Sequence, residues 1–153
     1  QKLYRVSTGH GGVMCEGCHG ATHAEWDQDG SPLKNDNVTG NQLQGHSGTV
    51  SECSTCHVTS AMSSNTQSGP HGMHLVNDSR FWQQSHKDMA KAENGKANGG
   101  TCGACHGADH LGTVLSRTPV DRSFSVEGTN RTVLAGDPVA CNLCHSVSKS
   151  FGR

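Results

Sequence analysis

Apolar residues are sparse along this chain and seldom regular. One segment has a helical rhythm: across residues 79–97, Phe81-Trp82, His86, Met89-Ala90 and Ala92 recur at about i, i+4, i+8. Gly95, then Gly99-Gly100, are expected to end that helix. Residues 116–133 lean towards strand-like alternation through Phe124, Val126 and later Val133. Residues 35–48 and 118–136 read as loops or short strands. Little regular structure is expected overall.

Composition sharpens the difficulty. The 153 residues are 31% apolar and 4% aromatic, with 20 glycines, where globular chains run at about 45–50% apolar. That is too little for an ordinary core at this length, so something other than side chains must fill the middle. The formal net charge is −1, and no basic patch argues for nucleic acid. No run approaches the roughly 18 apolar residues of a membrane-spanning helix.

The cysteines supply the missing element. All eight fall into pairs: Cys15-Cys18, Cys53-Cys56, Cys102-Cys105 and Cys141-Cys144. Each pair is followed at once by histidine, namely His19, His57, His106 and His145. C-x-x-C-H is the attachment pattern of c-type haem. Two thiols add to the two vinyl groups of the porphyrin, and the next histidine lies under the iron as proximal ligand. A disulfide framework or a zinc ribbon would leave that histidine idle, and a thioredoxin-like motif would occur once, within a βαβ unit. Histidine is 11 of 153 residues, so four chance matches have odds of about 1 in 10⁴–10⁵ against the motif. Four haem c groups are therefore expected, with about 38 residues serving each.

The expected fold is a mostly irregular chain, low in secondary structure, with short α-helices wrapped around a row of four covalent haems: a multihaem cytochrome c. Residues 1–153 then form a single tetrahaem domain. Within it the spacing suggests duplication. The first and second motifs are separated by the 33 residues 20–52, the third and fourth by the 34 residues 107–140, and the middle gap is the 44 residues 58–101. Cys18-His19-Gly20-Ala21-Thr22-His23 also resembles Cys105-His106-Gly107-Ala108-Asp109-His110. A two-haem repeat over about 10–60 and 97–150, joined by 61–96, follows.

Seven histidines remain for the sixth iron positions. The ranked distal candidates are His46, His74, His71, His86, His10 and His23, with His110 last. His71 and His74 lie in the turn-forming Gly69-Pro70-His71-Gly72-Met73-His74. His46 stands seven residues before Cys53, and His86 lies on the apolar stripe of the expected helix. Met14, Met62, Met73 and Met89 are alternative ligands that the histidine surplus makes unnecessary. No histidine occurs between His110 and His145 or after His145. The fourth iron must therefore take a distant histidine, take one from another subunit, or stay open.

Several tracts carry a resemblance: Cys15-Glu16-Gly17-Cys18-His19-Gly20-Ala21-Thr22-His23-Ala24-Glu25-Trp26, Leu43-Gln44-Gly45-His46-Ser47-Gly48, Gly69-Pro70-His71-Gly72-Met73-His74 and Gly112-Thr113-Val114-Leu115-Ser116. Together they are similar to extracellular tetrahaem cytochromes of the OmcE type, over about residues 10–116 and more weakly beyond. The resemblance implies bis-histidine haems stacked in a continuous chain, polymerisation into filaments outside the cell, and one distal histidine supplied by the neighbouring subunit. His10 is the candidate for that crossing ligand.

The expected function is electron transfer as a subunit of such a homopolymeric filament, with other redox proteins or extracellular acceptors as partners and no enzyme chemistry. The alternatives are a monomeric periplasmic shuttle and a multihaem reductase with one open iron. Haem attachment of this kind follows export, so the expected location is extracellular or, alternatively, periplasmic. Gln1-Lys2-Leu3-Tyr4 reads on the same ground as a mature terminus from which a leader was removed.

Overall fold

The structure is a computed structural model that describes residues 10–21, 37–63, 67, 69–93, 100–126 and 128–144. It is low in regular secondary structure, with a few short helices and one two-stranded sheet. The chain divides into two compact units, Gln1–Asp78 and Ser79–Arg153.

In the first unit α1 spans Cys15–His19 and α2 spans Val38–Gln44. The second helix corrects the reading of residues 35–48 as loop or strand. Asn37 caps it, its side chain accepting from the Gly40 N–H, and Gly45 at φ 83° ends it in the left-handed conformation. Asn37 Nδ2 also donates to Gly17 O at 2.7 Å, tying α2 to α1. A single 3₁₀ turn follows at Cys53–Thr55, and Pro70–Gly72 forms another turn in which His71 adopts φ 57°.

In the second unit a π-helical turn at Phe81–Ser85 runs directly into α3, His86–Glu93. The helix expected at residues 79–97 is thus present, and its stretch beyond Glu93 lies outside the described residues. Phe81, Trp82, His86, Met89 and Ala90 are half-buried, as the stripe requires, whereas Ala92 is exposed. The wider π turn shifts the angular phase, so Glu93 takes that face and its carboxylate accepts from the Thr101 N–H. Next come α4, Gly103–His106, and a 3₁₀ turn at Val114–Ser116 with Thr113 capping it. The strand-leaning region is an antiparallel hairpin, β1 Arg122–Val126 with β2 Thr129–Val133, in the register Arg122↔Val133 to Val126↔Thr129. Phe124 meets Trp82 edge-on, with ring centroids 5.1 Å apart. A last 3₁₀ turn covers Cys141–Leu143.

Burial bears out the composition argument. Among the described residues the buried apolar core is only Leu75 (8% exposed) and Val133 (3%). Large apolar side chains such as Met14, Val58, Val114 and Leu115 lie mostly exposed. Among the described residues, side chains alone do not make a conventional interior. Among the described residues no helix is long and apolar enough to cross a membrane.

Candidate functional site

Among the described residues, the C-x-x-C-H segments are wound into short helical turns. In the α-helical first and third motifs, residues at i, i+3 and i+4 share one face, which puts both thiols and the imidazole on the same side. The His57 N–H donates to Cys53 O at 2.9 Å and the His106 N–H to Cys102 O at 2.9 Å. The first and third motifs are α-helical and each stops at a glycine with positive φ, Gly20 (71°) and Gly107 (84°). The second and fourth are 3₁₀ turns without that glycine. Local conformation therefore repeats as the sequence does. His145 lies outside the described residues.

The two motifs of each unit are electrostatic neighbours. Burial pushes the Cys18 thiol up, with smaller contributions from Cys56 and Cys15. Burial likewise raises Cys141, helped by Cys102 and Cys144. Cys53 and Cys105 are raised mainly by burial. Cys144 is also raised by burial, against the opposing charge of Arg131. These groups are thus held as thiols at neutral pH, the form that adds across a vinyl bond. All eight cysteines lack a disulfide partner.

The histidines of the first and third motifs are oriented by the stretch of chain that leads into the following motif. His106 Nδ1 donates to Val139 O at 2.9 Å, two residues before Cys141. Burial holds His106 below its usual pKa, the Val139 carbonyl works against this, and His110 adds to the lowering. A neutral imidazole whose Nδ1–H is engaged in this way would ligate a metal through Nε2. His19 is oriented by a side chain instead, with Thr49 Oγ1 at 3.4 Å from its Nδ1.

Two of the distal candidates have rings close to the histidines of the first and second motifs. The rings of His19 and His71 have centroids 6.1 Å apart at 60°, and those of His10 and His57 are 5.7 Å apart at 73°. Metal–imidazole bonds run about 2 Å, so two imidazoles sharing one ion hold their ring centres about 6 Å apart. His71 reaches this place through a left-handed backbone that costs a non-glycine residue about 1–2 kcal/mol. Its Nδ1 is buried without a hydrogen-bond partner. Both features suit a side chain placed to meet a group the protein itself does not provide. The His10 contact with His57 lies within one chain.

Other candidates are placed differently. His46 is fixed through Nδ1 to Ser47 O (2.9 Å), with Nε2 3.3 Å from Glu52 Oε1. Its loop is shaped by the Gln44 amide, which donates to His46 O and Gly48 O and accepts from the Ser51 N–H. A metal at Nε2 would have to displace Glu52. His74 Nδ1 donates to Leu75 O at 3.0 Å. His86 packs beside Phe81, with ring centres 6.3 Å apart. His23 lies outside the described residues. His110, ranked last in sequence, is buried at φ 57°, accepts from the Cys141 N–H at 3.1 Å and acts on His106. It joins the third motif to the fourth. Its repeat equivalence to His23 was the signal for it, and the following Leu111-Gly112-Thr113 hid it.

Among the described residues no three His, Cys, Asp or Glu side chains converge as a zinc tetrad would. Paired imidazoles beside paired thiols are the donor set that covalent haem needs, because the porphyrin supplies four equatorial nitrogens. The residues present therefore fit that group. No family model, no curated protein and no solved structure matches the chain.

Proposed function

We propose that this chain is an electron carrier holding four c-type haems, each through one Cys-x-x-Cys-His turn, and that it works as a subunit of an extracellular cytochrome filament. The observation that supports the reading is the coincidence of four Cys-x-x-Cys-His motifs in the sequence with two in-chain imidazole pairs, at 6.1 and 5.7 Å, among the described residues. Each haem, once bound, supplies a reversible one-electron change at its iron. The chain's own part is to hold porphyrins near one another and fix the ligands. His71 opposite His19 and His10 opposite His57 are the proposed axial pairs of the first unit. His46, His74, His86 and His110 are the described candidates for the remaining sixth positions.

Apolar side chains left at the surface, Met14, Val58 and Leu115 among them, supply faces on which flat apolar rings pack. Bis-imidazole ligation keeps an iron low-spin in both oxidation states, so little structure changes when an electron passes. The filament part of the proposal rests on the sequence resemblance. Ferric low-spin signals integrating to four per chain, together with filaments under negative-stain microscopy, are the expected results. Particles that remain monomeric would favour the periplasmic shuttle. A high-spin ferric signal from one iron would favour the reductase alternative.

A further inference from the structure

We propose that Thr49 sets the reduction potential of the haem held by Cys15 and Cys18, by accepting a hydrogen bond from Nδ1 of His19. The inference rests on the haem reading above. With Nε2 given to iron, Nδ1 carries the ring proton, so the hydroxyl 3.4 Å away is the acceptor. Thr49 does not sit there by chance of a loose loop. The N–H of the next residue, Val50, donates to Cys18 O at 2.9 Å, which fastens this stretch to the first motif. Val50 in turn packs over Gly40 of α2, where a Cβ would come within 2.9 Å of its methyl. A hydroxyl at position 49 is thus presented to the proximal ring by backbone geometry.

The second unit solves the same problem with a different atom. There the proximal His106 Nδ1 donates to the backbone carbonyl of Val139 at 2.9 Å. No side-chain substitution removes that acceptor. The first motif alone of the two has an acceptor that a point mutation can delete, so its potential is adjustable by sequence while that of the third is fixed by the fold.

The chemistry sets a sign. An acceptor on Nδ1–H gives the imidazole partial imidazolate character and makes Nε2 a stronger donor to iron. Ferric iron gains more from this than ferrous iron, so the hydrogen bond lowers the potential. One electron enters the ferric iron on reduction, and no bond to Thr49 is made or broken. At 3.4 Å, with both residues exposed to water, the effect belongs at the weak end of the hydrogen-bond range. It corresponds to about a threefold change in the ferrous-to-ferric ratio at fixed potential.

The test is a redox titration on the holoprotein, with each haem followed by its own methyl resonances in the proton NMR spectrum. In Thr49→Val the first haem should become more easily reduced, with its ferrous-to-ferric ratio up about threefold at fixed electrode potential and the other three haems unmoved. Thr49→Ala should do the same, and Thr49→Ser should restore the parent value. Val139→Ala should leave the third haem where it was, because its contact runs through the carbonyl. An unmoved first haem in a four-haem Thr49→Val chain overturns this inference alone, as does an equal shift of all four haems. A parent chain without haem at Cys15 and Cys18 overturns the functional reading and this inference with it.

Discussion

His71 offers a way to separate ligation from backbone conformation. It sits at φ 57° and ψ 17°, in the left-handed region. A side chain with a Cβ pays about 1–2 kcal/mol there, and glycine does not. His71→Gly and His71→Ala both remove the imidazole that faces His19 at 6.1 Å, but only the alanine keeps the backbone penalty. Both variants should convert one of the four haems from low-spin to high-spin ferric iron, read by electron paramagnetic resonance. The alanine variant should also be the less stable of the two by about 1–2 kcal/mol. At this chain length that is about 2–8 °C in melting temperature. Two outcomes would refute the reasoning: four low-spin haems in His71→Gly, or a glycine variant that melts below the alanine variant.

Three further predictions follow from named contacts. Gly112 lies at φ +88°, and a Cβ there would come 2.7 Å from Pro138 Cβ, so Gly112→Ala should cost about 2–4 kcal/mol by combining left-handed strain with overpacking. Chemical denaturation measures it, and an unchanged midpoint would contradict the packing described between these segments. His10→Ala should produce one high-spin iron even in dilute monomeric protein, because its ring contact with His57 lies within the chain; a loss seen only on assembly would show that the ligand crosses between subunits. Burial lowers the pKa of His106, so the neutral ring and the stability it contributes are complete above the ordinary value of about 6.5 and are lost as pH falls through the lowered value. In the haem-free chain a pH titration of stability should therefore show this loss beginning below pH 6.5, and a loss already complete at that pH would refute it.

How much of this was legible in the sequence depended on the kind of signal. The eight cysteines and the four following histidines were plain, because covalent attachment demands fixed spacing. Low regular structure followed from a composition that cannot build a conventional core, and Leu75 and Val133 alone form the buried apolar set among the described residues. The hairpin at Arg122–Val133 and the helix through Phe81–Glu93 showed in their periodicities. Helix α2 was hidden, since Val38-Thr39-Gly40-Asn41 is a weak helix former on propensity. Its real signals were the end residues, Asn37 as cap and Gly45 as stop. Partners of individual histidines were not legible, because pairs such as His19 with His71 are set by loop closure over long sequence distances. His110 illustrates the same limit: its importance comes from the N–H of Cys141, thirty-one residues away.

The most direct test of the account is the intact mass of the purified protein combined with a count of reactive thiols. Four haems should raise the 16.1 kDa polypeptide by roughly 2.5 kDa, at about 0.6 kDa each, with every cysteine consumed in a thioether. A colourless chain at the bare polypeptide mass, with eight titratable thiols or with bound zinc, would contradict it.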